Sequence, residues 1–101
     1  MAATVTFHRL ALREYEAARR RYEKQSPQVA VRFADAVALA VQQISDDPNR
    51  WPEYRPHYRW VQTRRFPYLL IYRMLNPNHA VIVAVAHGRR RPGYWLRSTL
   101  P

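Results

Sequence analysis

The run Ala80-Val81-Ile82-Val83-Ala84-Val85-Ala86 constrains this chain more than any other stretch. Every side chain in it is apolar, so a strand formed here is apolar on both faces and has to be covered on both. Tyr68 to Leu75 is a second strong strand, and Asn76-Pro77-Asn78-His79 between the two is a turn signal that folds one back on the other. Tyr58 to Thr63 alternates aromatic or apolar with polar residues and adds a third. A small antiparallel sheet is therefore expected in the second half.

The first half changes period. Val5-Thr6-Phe7-His8 reads as a short N-terminal strand. From Leu10 to Lys24 the positions Leu12, Tyr15, Ala18 and Tyr22 recur at spacings of three and four, with Arg13, Glu16, Arg19, Arg20 and Glu23 on the other faces, which predicts an amphipathic helix. Ser26-Pro27 restarts the chain, since serine can cap free amides and proline fits the first helical position. A second helix then runs to about Ser45 with the stripe Val29 or Ala30, Phe33, Val37, Ala40 or Val41, and Ile44, and Asp46-Asp47-Pro48 ends it. Its alanine content lets two helices approach closely as a hairpin. A DNA-reading helix-turn-helix is a poor match, because Arg32 is the only basic residue of that second helix. Asn49 to Pro56 reads as a proline-punctuated loop pinned by Trp51 and Tyr54.

The expected architecture is α+β: an N-terminal strand, then a two-helix antiparallel hairpin packed on one face of a small antiparallel sheet, then a basic C-terminal segment. At 101 residues the chain, 1–101, has room for one domain with one core. Two helices cover only one sheet face well. The opposite face is left to the C-terminal segment, the Trp51 loop or a partner.

Charge is divided unevenly along the chain. The net charge is +10, and all seven carboxylate side chains lie at or before Glu53. After Glu53 come nine arginines and no acid, so a counter-charge from outside the chain is expected. Lys24 is the sole lysine among 17 basic residues, a bias that suits bidentate contacts to phosphate or carboxylate. Cysteine is absent, which excludes disulfides, a thiolate nucleophile and zinc-thiolate ligation. His8, His57 and His79 lack metal-ligand spacing, so neither a metal nor another cofactor is expected. No apolar run approaches a membrane span, and a cytoplasmic protein is expected.

The last basic stretch, His87-Gly88-Arg89-Arg90-Arg91-Pro92-Gly93-Tyr94-Trp95-Leu96-Arg97, leaves the two-sided strand directly. Arginines beside two aromatics combine fixed positive charge with stacking surface, which suits phosphate, RNA bases or an acidic partner. Adjacent residues of an extended segment point to opposite sides, so Tyr94 and Trp95 are expected to divide between anchoring and presenting, and Arg64 and Arg65 between the two faces. Phe66 and Tyr68 should join the core.

Arg65-Phe66-Pro67-Tyr68-Leu69-Leu70-Ile71-Tyr72 followed by Ala84-Val85-Ala86-His87-Gly88-Arg89-Arg90-Arg91-Pro92-Gly93-Tyr94-Trp95 resembles the RelE/ParE superfamily of bacterial toxins from type II toxin-antitoxin modules. The resemblance extends over nearly the whole chain and includes Asp46-Asp47-Pro48-Asn49-Arg50-Trp51-Pro52. It implies a toxin, of the kind associated with plasmid stabilization, held inactive in a hetero-oligomer by a cognate acidic antitoxin that folds on binding. One branch cuts messenger RNA on the ribosome with basic strand residues and a C-terminal tyrosine or similar group. The ParE-like branch inhibits DNA gyrase without known catalysis. Where the ribonuclease branch carries strand cations, this chain has Trp60, Gln62 and Leu69, which favours the ParE-like branch.

RNA cleavage through the 2′-hydroxyl needs a base, a cation for the phosphorane and an acid for the leaving oxygen. His87, Arg65, Arg90 and Tyr94 are the candidates should the chain be a ribonuclease, although a histidine ending a buried strand is more often structural. For target or antitoxin binding the candidates are Arg64, Arg65, Arg89, Arg90, Arg91, Tyr94, Trp95 and Arg97. A non-toxic basic binding module is the third reading.

Overall fold

The computed structural model describes residues 2–88 and 93. In chain order the elements are β1 (Thr4–Phe7), α1 (Arg9–Gln25), α2 (Pro27–Asp46), β2 (Glu53–Arg55), β3 (Tyr58–Gln62), β4 (Tyr68–Asn76) and β5 (His79–His87). The five strands form one sheet in the order β1-β5-β4-β3-β2. Four of them are antiparallel neighbours, but β1 pairs with β5 in parallel, from Thr4 opposite His79 to Phe7 opposite Ile82. The sheet is thus mixed rather than antiparallel throughout. Alternation in a strand tells which face is buried, not which neighbour it pairs with or in which direction.

His8 belongs to the helix rather than to the first strand. Its Nδ1 accepts the Leu10 N–H at 3.1 Å as the cap of α1, while its own N–H still reaches the Ile82 carbonyl at 2.8 Å. Ser26 alone separates the helices. Its N–H closes α1 on Tyr22, its carbonyl accepts from Ala30 to open α2, and Pro27 takes the first helical position. The hydroxyl does not cap an amide as expected; it donates to Gln28 Oε1 at 2.9 Å.

The helical hairpin packs on one sheet face. Ala11 and Ala18 of α1 and Ala30, Phe33, Val37, Ala40 and Ile44 of α2 are buried, most of them in a core shared with Val61, Leu70, Tyr72, Ala80, Ile82 and Val85. Small alanines let α1 settle close to β5. Leu12, predicted for the buried stripe, is 42% exposed, and Ala11 takes its place. The repeat that faces the sheet is Ala11, Tyr15, Ala18 and Tyr22, one position off the more hydrophobic leucine. Tyr15, Tyr22, Phe33, Phe66 and Tyr68 form a connected aromatic cluster, with Tyr22 and Phe33 centroids 5.1 Å apart.

On the opposite face Tyr58, Ile71, Val83, Ala84 and Ala86 are buried, with Tyr54, Trp60, Leu69 and Val81 packed around them. The stretch predicted as a loop over Asn49 to Pro56 contains β2, which brings Tyr54 to this face. Trp51 goes the other way: it packs on the helix-side core and its indole N–H donates to the Gln43 carbonyl at 3.2 Å.

A register shift in β4–β5 separates the faces. Ile71 lies opposite Ala84 and Tyr72 opposite Ile82, leaving Val83 as the extra residue of a bulge. Ile82 and Val85 therefore face the helices, Val83 and Ala84 both face away, and parity is reversed beyond that point. This reversal turns His87 to the helix side, where its ring meets the edge of Tyr68 at 5.2 Å.

Candidate binding site

The β3–β4 connection is built around Thr63, the only buried polar residue among those described. Its N–H and its hydroxyl both donate to the Tyr68 carbonyl at 2.9 Å, and its own carbonyl accepts the Phe66 N–H at 3.3 Å. That turn lifts Arg64 and Arg65 into solvent and holds Arg65 at a φ of 68°, a left-handed conformation unfavourable for a side chain with a Cβ. Alternation does not apply inside a turn, so the two arginines do not divide between the sheet faces as predicted. Both line the same surface. Phe66 is half-buried against Tyr22 and Phe33, and Tyr68 is in the core, as expected.

The surface they line is a groove between α2 and β3. It consists of two open depressions of about 520 and 590 Å³ that share Ala36, Leu39, Arg64 and Arg65. Leu39, Trp51 and Pro52 supply apolar lining at one end, which β3 borders from Trp60 to Gln62, and Val29, Arg32 and Asp35 lie at the other. Leu39 is 43% exposed although α2 is otherwise well buried on its sheet face. An apolar floor with arginines at the rim is the arrangement of a protein-docking groove. Periodicity alone could have flagged Leu39, which falls off the stripe of Phe33, Val37, Ala40 and Ile44.

His87 is not beside Arg65 in this groove but across Tyr68, in a cleft of about 370 Å³ with Glu14, Ala17, Arg21 and Val85. Arg21 donates to the Tyr68 hydroxyl at 2.6 Å, and Glu14 Oε1 accepts the Val85 N–H at 3.0 Å. Neither Glu14 nor Arg21 stood out in the sequence; they lie seven residues apart on one flank of α1, a spacing that reports a shared face without saying what it meets. Burial raises the pKa of Tyr22, with Tyr68 adding to the effect and Arg21 opposing it. The Gly88 N–H donates to the Pro67 carbonyl at 2.8 Å, so the chain leaves β5 next to the Arg64–Arg65 turn. Arg89, Arg90, Arg91, Tyr94, Trp95 and Arg97 lie outside the described residues.

Trp60 and Leu69 are part of the apolar cluster on the helix-free face, and Gln62, paired with Leu69, is exposed. Among the described residues no group of three or more His, Asp or Glu could hold a metal ion, and no helix is long and apolar enough to cross a membrane.

A family model described as ParE toxin of type II toxin-antitoxin system, parDE, matches residues 5–92. Among solved structures, a chain of the chromosomal ParDE TA system from P. aeruginosa superposes with a TM-score of 0.72 at 17% sequence identity, over 85% of this chain and 96% of that one. No curated protein matches in sequence.

Proposed function

This chain belongs to the ParE toxin family of type II toxin-antitoxin systems, and we propose that it inhibits DNA gyrase in the cytoplasm when free and is silenced there by a cognate acidic antitoxin. The observation that carries the antitoxin half is the α2–β3 groove. Its apolar lining at Leu39, Trp51 and Pro52 and its cations Arg32, Arg64 and Arg65 complement an acidic amphipathic segment. Such a segment, unfolded on its own, would order as it buries its apolar residues against α2 and places carboxylates at the arginines. The product is a toxin-antitoxin hetero-oligomer.

The gyrase half rests on the composition of the helix-free sheet face. Trp60 and Leu69, at the positions where the ribonuclease branch carries strand cations, sit among Ile71 and Val83, and none of these four side chains exchanges a proton or holds a phosphate charge. A face of this composition supports binding rather than ribonuclease chemistry. On this reading the C-terminal residues Arg89, Arg90, Arg91, Tyr94, Trp95 and Arg97 contact the target, while Arg64 and Arg65 serve the antitoxin. Induction of the chain is expected to arrest growth without new messenger RNA ends in primer extension, and co-expression of the antitoxin to restore growth. New ribosome-dependent cuts would overturn the gyrase assignment in favour of an endonuclease, and unaffected growth would leave a non-toxic binding module.

A further inference from the structure

The outer face of α1 is a second positive surface, distinct from the α2–β3 groove. Six residues of α1 are basic and three are acidic. At about 100° per residue, Arg9, Arg13, Arg20 and Lys24 fall within a stripe about 60° wide, directly opposite the buried Ala11 and Ala18, and at 1.5 Å per residue they run for about 22 Å. All four are exposed. Among the described residues Arg9, Arg13 and Lys24 make no ion pair, and Arg20 reaches Glu16 only at 3.9 Å with both side chains largely in solvent. A pair so exposed is weak and yields readily to a stronger anion.

One flank of the ridge carries a fixed cation. Arg21 is held by the Tyr68 hydroxyl at 2.6 Å rather than left to swing, and the bulge at Val83 turns His87 onto the same side. Ridge and flank together form a row of positive charge, bordered on its other side by Glu16 and Glu23, on a helix anchored through its opposite face.

We propose that this α1 face binds the phosphodiester backbone of duplex DNA. A protein antitoxin needs apolar anchors, and Leu12 is the lone large exposed apolar side chain of α1. Single-stranded nucleic acid needs stacking platforms. The aromatics of α1, Tyr15 and Tyr22, are instead turned into the core against Phe33. What remains is a row of cations suited to the regular charge of a duplex, one per about 1.7 Å of axis. The choice of DNA over an RNA duplex rests on the gyrase reading, since a toxin that seizes gyrase on its substrate would find DNA alongside.

The test is fluorescence anisotropy of the purified chain, without gyrase, on a labelled duplex of about 20 base pairs, with a duplex RNA and the separate DNA strands as comparison arms. Each phosphate neutralised contributes about −0.9 to the slope of log K against log salt. The triple substitution Arg13→Ala, Arg20→Ala and Lys24→Ala is expected to weaken duplex DNA binding at least tenfold and to flatten the slope by about 2 to 3. A charge-matched triple outside α1, Arg50→Ala, Arg55→Ala and Arg73→Ala, should leave both nearly unchanged. Glu16→Gln frees Arg20 of its competing carboxylate and is expected to tighten binding, a gain that misfolding cannot produce. The proposal is overturned if the two triples lose affinity equally, if single strands bind tighter than the duplex, if duplex RNA binds as well as DNA, or if Glu16→Gln weakens binding. Only the RNA arm draws on the gyrase reading; the other outcomes are independent of gyrase inhibition, which stands or falls in a separate assay.

Discussion

Glu14 on α1 accepts the backbone N–H of Val85 on β5 at 3.0 Å, so a side-chain carboxylate does what a neighbouring strand would do at this edge. Pairing with β1 ends at Ile82, where the chain turns into α1 through His8. The continuation of β5 beyond β1 would otherwise offer unpaired backbone donors to another chain. The same helix that covers the sheet face thus also closes its edge.

Glu14→Ala is expected to cost about 1–2 kcal/mol, because it leaves a part-buried N–H without its acceptor. Glu14→Gln keeps an acceptor oxygen at the same reach and should cost less than half as much. Chemical denaturation of the two variants checks this; equal losses would show that the bond to Val85 contributes nothing particular.

Arg65 occupies a left-handed turn position at φ 68°. Arg65→Gly should relieve that conformation and stabilise the fold by about 1 kcal/mol, raising the melting temperature by about 4–8 °C for a domain of this size. The same substitution removes one rim cation of the groove, so antitoxin affinity should fall as stability rises. Calorimetry and a binding titration on one preparation separate the two effects.

Leu39 is exposed at the centre of the groove. Leu39→Glu is expected to change stability by no more than about 0.5 kcal/mol, as surface substitutions do. It sets a like charge and a lost apolar contact against an acidic amphipathic partner, so antitoxin affinity should fall at least tenfold. Unchanged affinity would move the antitoxin away from α2.

Tyr72 is fully buried, and its hydroxyl donates to the Pro48 carbonyl. Burial pushes its pKa up to about 12, with nearby Arg59 opposing and Asp47 adding. The unfolded side chain titrates near 10, so between about pH 10 and 12 the native state holds a proton the unfolded state has lost. Stability from this group is complete below pH 10 and disappears as pH climbs toward 12. Tyr72→Phe should be less stable at neutral pH, yet lose less stability than the parent between pH 10 and 12, as followed by urea midpoints.

Periodicity and turn chemistry carried most of the architecture. The helix restart at Ser26-Pro27, the β4–β5 hairpin across Pro77-Asn78, and the need to cover β5 on both faces all followed from local residue types. The parallel pairing of β1 did not, because direction and partner are set by where the helical hairpin returns the chain. Nor did the Val83 bulge, invisible in a run where every side chain is apolar, although it decides which way His87 points. Arg64 and Arg65 were legible as exposed cations; their common orientation was not, since it comes from a turn held by buried Thr63. Arg21 and Glu14 acquire their roles only through residues 47 and 71 positions away.

The central claim, a gyrase-directed toxin gripped by an acidic antitoxin, is tested most directly by measuring supercoiling and translation with one preparation of the free chain. Gyrase-driven supercoiling of relaxed plasmid should fall with added chain and recover with the antitoxin, while cell-free translation continues. Intact supercoiling at concentrations that halt translation would contradict the account.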